Sequence, residues 1–112
     1  MSPSTRFRVA LIALTLARAA IGATAVTSTQ GPNEIRISSF MFMPMELTVK
    51  AGSTVTWTNL DDEAHTVVSV TGLFRSGALD TSERFAFAFD KPGVYHFTCS
   101  LHPRMVGTVI VD

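Results

Sequence analysis

A chain of 112 residues is enough for one domain, and its nine basic side chains balance nine acidic ones. Three of the basic residues, Arg6, Arg8 and Arg18, fall in an N-terminal stretch expected to be removed, leaving six against nine, a net charge of −3. That balance disfavours a nucleic-acid partner, which needs a basic patch, and a single cysteine excludes an internal disulfide.

Residues 1–25 have the plan of a secretory leader. Arg6 and Arg8 form a basic start, Val9 to Ala17 an apolar core too short to span a bilayer, and Ala23-Thr24-Ala25 a small-x-small cleavage site. Ala17-Arg18-Ala19 is a second cleavage option, and an uncleaved anchor is the alternative, weakened because Arg18 ends the apolar run. Phe7 separates Arg6 from Arg8, so there is no twin-arginine signal. Export to the periplasm or another extracytoplasmic space follows. Removing 25 of 112 residues leaves 87, small but able to bury a single core. A lone thiol in an exported chain needs a reason, and metal ligation is one.

Residues 26–33 are polar, contain Gly31-Pro32 and read as a flexible lead-in. Residues 34–112 are the expected domain, with apolar residues repeating every second position, the period of a strand. Ile35 and Ile37 alternate with Glu34, Arg36 and Ser38; Leu47 and Val49 with Glu46, Thr48 and Lys50; Val55, Trp57 and Asn59 with threonines. Thr66 to Val70 is a continuous run suited to burial on both faces. Thr71 to Ser82 lacks a period and reads as a loop with room for a short strand. Phe85, Phe87 and Phe89 share one face, as do Tyr95, Phe97 and Cys99, and then Gly107, Val109 and Val111. About seven short strands and no amphipathic helix predict an all-β fold, a two-sheet antiparallel Greek-key sandwich. Trp57, Phe85, Phe87, Phe89 and Phe97 are its expected core.

The chemistry concentrates in Cys99-Ser100-Leu101-His102-Pro103-Arg104-Met105, a loop between two strands. With His65 it supplies two imidazoles, a thiolate and a thioether, the ligand set of a mononuclear blue-copper site. Each residue has an ordinary alternative: a buried inert thiol for Cys99, an exposed His for His102, a core gap-filler for Met105, a structural His for His65. Their joint occurrence at Cys-x2-His-x2-Met spacing favours ligation, and Pro103 restricts the backbone of His102. Asn59 points inward and is expected to tie the His65 loop to the Cys99 loop. His96 falls on the face opposite Cys99 and is expected at the surface. Met41, Met43 and Met45 fit packing around Phe42 and Pro44 better than a methionine-rich copper-transport segment.

Residues from about 34 to 112 resemble the plastocyanin/amicyanin branch of the cupredoxins. The matching segments are Phe42-x-Pro44, Leu47-Thr48-Val49-Lys50-Ala51-Gly52, Val55-Thr56-Trp57-Thr58-Asn59, His65-Thr66-Val67, Pro92-Gly93-x-Tyr95, Cys99-x2-His102-Pro103-x-Met105 and Gly107-x-Val109-x-Val111. The short His-Pro-x-Met spacing is that of amicyanin; plastocyanin and pseudoazurin have two more residues before the Met. Ala64-His65-Thr66 departs from amicyanin's Pro-His-Asn, so the surroundings of the first histidine differ. The resemblance implies one type 1 copper ion held by His65, Cys99 and His102 with Met105 axial, and an exported single-electron carrier. It does not transfer amicyanin's amine-dehydrogenase partner.

Expected partners are therefore redox proteins docking briefly near His102, with no small-molecule substrate, and the chain is expected to be a monomer. Leu101 and Pro103, with Met43, Met45 and Phe74, are candidates for an apolar docking patch, and Asp61, Asp62 and Glu63 for steering a basic partner. A copper-delivery module is the alternative. An oxidase or nitrite reductase is disfavoured, because Thr98 and Ser100, not histidines, flank Cys99.

Overall fold

The computed structural model describes residues 33–112; the expected leader over residues 1–25 and all but Asn33 of the expected lead-in lie outside them. Among the described residues there is no helix. Eight strands form: β1 (Glu34–Ser38), β2 (Met41–Met43), β3 (Glu46–Val49), β4 (Ser53–Asn59), β5 (Val68–Ser69), β6 (Arg84–Phe89), β7 (Gly93–Thr98) and β8 (Val106–Val111). They make two four-stranded sheets, ordered β2-β1-β4-β6 and β3-β8-β7-β5.

Alternation decides which side chains enter the space between the sheets. Ile35, Ile37, Val55, Trp57, Phe97 and Val109 are fully buried, while their sequence neighbours on the other face, Thr58 excepted, remain accessible. Trp57 is the hub, packed against Phe74, Phe85, Phe89 and Phe97. Burying a large apolar side chain contributes about 1.5–3 kcal/mol, so this cluster is a main source of rigidity beneath the loops at the end of the sandwich.

Three features differ from the sequence expectation. Two strand pairs, β1 with β4 and β3 with β8, run parallel, a direction that alternation does not encode. The expected strand over Thr66–Val70 shrinks to Val68–Ser69, because residues 65–69 pair irregularly with the following segment. His65 exchanges backbone bonds with Leu79 at 3.1 and 2.7 Å, Val67 accepts from the Ser76 amide at 2.8 Å, and Phe74 accepts from the Ser69 amide at 2.9 Å. The stretch 71–82 is thus the partner that holds the His65 segment. Phe74 belongs to the core, 5% exposed, and is withdrawn from the docking patch. The register places Phe97 opposite Gly107, and Phe97 also meets Trp57 and Phe42 edge-on.

Candidate metal centre

Cys99 directly follows β7, on the same inward face as Phe97, and is fully buried. Two successive turns shape the loop after it. The His102 amide donates to the Cys99 carbonyl at 3.3 Å, and the Met105 amide donates to the His102 carbonyl at 2.9 Å. The Cys99 amide closes the loop on the Met105 carbonyl at 3.1 Å. The three-residue spacings of Cys99, His102 and Met105 therefore correspond to turn closures. His102 is half-buried, and Met105 is 4% exposed.

His65 arrives from the other loop. It is fully buried, with its backbone pinned to Leu79. His65 Nδ1 lies 3.2 Å from His102 Nδ1 and 3.8 Å from Cys99 Sγ, and His102 Nδ1 lies 3.6 Å from that sulfur. With metal–nitrogen bonds near 2.05 Å and a metal–sulfur bond near 2.3 Å, a trigonal metal would require edges of about 3.5 and 3.8 Å. The observed triangle, with its shorter nitrogen–nitrogen edge, is of the size at which His65, Cys99 and His102 would hold one metal ion. Two imidazoles and a thiolate suit copper, and a thioether suits its weak axial position.

The surroundings differ from expectation. Asn59 is fully buried, as alternation predicts, but it does not bridge to the Cys99 loop. Its amide nitrogen donates to the carbonyls of Glu63 at 2.9 Å and Leu79 at 2.8 Å, so it ties the His65 loop to the 71–82 stretch. The bridge is Thr66. Its amide donates to Cys99 Sγ at 3.4 Å, and its hydroxyl accepts from the Ser100 amide at 2.7 Å.

Asp61 is not free to steer a partner: its carboxylate accepts from the Ser39 and Phe40 amides and contacts His65 Nε2 at 2.9 Å. Phe40 stands edge-on to both imidazoles, with ring centroids 5.0 Å from His65 and 4.8 Å from His102. The roles of Thr66, Asp61 and Phe40 escape a reading of periodicity, although Asp61 preceding His65 by four residues was a signal available for the contact between them. His96 is exposed and bonded to Thr108 Oγ1 at 3.0 Å, away from the donor triangle. Met41, Met43 and Met45 flank the buried Phe42 but are themselves about half exposed.

A family model describing the cupredoxin-like domain matches residues 8–111. The chain belongs to the cupredoxin-like family. This cupredoxin is 34% identical to amicyanin-alpha of Methylorubrum extorquens over 95% of its own length and 96% of the relative's. Among solved structures it is similar to a purple cupredoxin from Nitrosopumilus maritimus, with a TM-score of 0.66 and 38% identity over 70% of this chain and 98% of that one. It is also similar to a reduced amicyanin variant, with a TM-score of 0.68 and 28% identity over 70% of this cupredoxin and 80% of the other chain.

Proposed function

We propose that this cupredoxin is a small type 1 copper electron carrier in which His65, Cys99 and His102 would hold one copper ion with Met105 as the weak fourth ligand. The observation that carries the assignment is the donor triangle, with edges of 3.2, 3.6 and 3.8 Å, supported by a packed sandwich. Copper supplies the one-electron couple. The protein supplies donors that are already convergent, so little rearrangement accompanies a change of charge. The amicyanin relatives support an electron carrier over an enzyme.

His102, the half-buried imidazole, provides the way out for the electron. Around it Phe40, Leu101, Pro103 and Arg104 line a shallow groove, with Met41 and Met45 in the adjoining one. This mostly apolar rim suits brief docking of a redox protein. The leader-like sequence pattern of residues 1–25 favours export to the periplasm, where a monomer would move between partners.

The half-exposed Met41, Met43 and Met45 favour a second reading, copper delivery without electron transfer. The visible spectrum of the copper-loaded protein separates the two. An intense thiolate-to-Cu(II) band is expected for the carrier. A pale protein that binds copper and surrenders it readily would establish delivery instead.

A further inference from the structure

Asp61 stands outside the donor set, yet three donors converge on its carboxylate. Oδ1 accepts from the Ser39 amide at 2.7 Å, and Oδ2 accepts from the Phe40 amide at 2.9 Å while lying 2.9 Å from His65 Nε2. The Asp61 backbone is itself anchored on both sides. The Asp61 amide donates to Asn59 Oδ1 at 2.9 Å, and the Asp61 carbonyl accepts from Thr81 Oγ1 at 2.6 Å. Ser39 and Phe40 form the two-residue turn between β1 and β2, both with left-handed backbones at φ 55° and 59°. Neither is glycine, and a bulky residue adopts that conformation only where its surroundings over-determine it. The Asp61 carboxylate is the group that receives both turn amides, and the turn sets the Phe40 ring against both imidazoles.

We propose that Asp61 is a positioning residue of the metal centre: its carboxylate fixes the tautomer and orientation of His65 and holds Phe40 across the two histidines. An ionised carboxylate only accepts hydrogen bonds. The proton of the neutral His65 ring therefore resides on Nε2, and Nδ1 turns its lone pair to Cys99 and His102. A carboxylate behind a ligating imidazole also strengthens that imidazole as a donor, which favours Cu(II) over Cu(I). The inference rests on the copper-carrier reading above and adds a determinant of affinity and potential to it.

Asp61→Asn in the copper-loaded protein is the test, with Asp62→Asn as its control. The carboxamide put in place of the Asp61 carboxylate would offer one acceptor oxygen to three donors. Asp62, by contrast, is exposed, and its replacement removes the same charge without touching His65. Asp61→Asn is expected to weaken Cu(II) binding about 10–100-fold and to raise the reduction potential. Each tenfold change in the Cu(II)-to-Cu(I) preference corresponds to about 59 mV for one electron. Equal shifts in the two variants would reduce Asp61 to a through-space charge and overturn the proposal. Should Asp61→Asn fail to fold, nitrogen-15 NMR of the metal-free wild-type protein decides: a proton on His65 Nε2 is expected, and a neutral ring protonated on Nδ1 instead would overturn the proposal. Failure of wild-type protein to bind copper would refute the carrier reading alone, since the tautomer is read without metal.

Discussion

The amide of Thr66 points at the sulfur of Cys99, 3.4 Å away, across 33 residues of sequence. Through this contact, and the hydroxyl that receives the Ser100 amide at 2.7 Å, the loop carrying one histidine is fastened to the loop carrying the other three candidate ligands. Hydrogen bonding around the sulfur is a means of tuning a copper–thiolate site. Thr66→Val keeps the shape and the amide but deletes the hydroxyl. Losing the hydrogen bond to the Ser100 amide should destabilise the fold by about 0.5–1.5 kcal/mol, measured by denaturant unfolding of the metal-free protein. An unchanged midpoint would show that water replaces the hydroxyl and that the loops are held by other contacts.

Cys99→Ser should abolish the intense visible band, because the copper–thiolate bond is its source. Absorption spectroscopy after copper titration is the measurement. A variant retaining the band would remove Cys99 from the ligand set.

Met105 is buried at 4% exposure beside the other candidate ligands, and its backbone closes the loop onto Cys99. Met105→Gln should retain copper but lower the reduction potential, since a harder oxygen donor stabilises Cu(II) relative to a thioether. Voltammetry of both proteins gives the answer, and equal potentials would leave Met105 as a packing residue.

Gly107 is required by Phe97. A Cβ at Gly107 would lie 2.4 Å from Phe97 Cζ, and the ring is confined by Trp57 and Phe42. Gly107→Ala should therefore destabilise the metal-free protein by about 1–3 kcal/mol, the range for overpacking a close-packed core. Paired Gly107→Ala and Phe97→Leu substitutions should recover part of that loss. No recovery in the pair would mean that the cost arises elsewhere in β8.

Burial pushes the Asp61 carboxyl up, but hydrogen bonds from the Phe40 and Ser39 amides and the neighbouring His65 outweigh it and hold the group below its ordinary value of 3.8. The unfolded chain therefore binds this proton more readily than the folded one. The stabilisation is complete above the unfolded value and drains away as pH falls through the lower folded value. Thermal melts of the metal-free protein should show Tm falling with acid below about pH 4, and Asp61→Asn should flatten part of that fall. An identical acid profile in the variant would assign the loss to other carboxylates.

Local pattern and local spacing made much of this molecule legible from its sequence. Period-two alternation is a property of single strands, so the all-β class and the inward faces of Ile35, Trp57, Phe97 and Val109 needed no partner to be read. The Cys99–Met105 loop is equally local, because its candidate ligands sit three residues apart on consecutive turns. The tertiary structure alone decided what joins distant segments. Alternation says which face is buried but not which strand lies alongside or in what direction, so the parallel pairing of β1 with β4 and of β3 with β8 was invisible. Phe74 lies in a stretch without a period, and only the neighbouring aromatic rings draw it inward. By sequence Asp61 is one of three acids suited to steering a partner; only the fold brings to it the turn amides from residues 21 and 22 positions earlier. A hydrogen bond needs its donor and acceptor within about 3 Å, and for segments so far apart in the chain only the packing of the two sheets brings them that close.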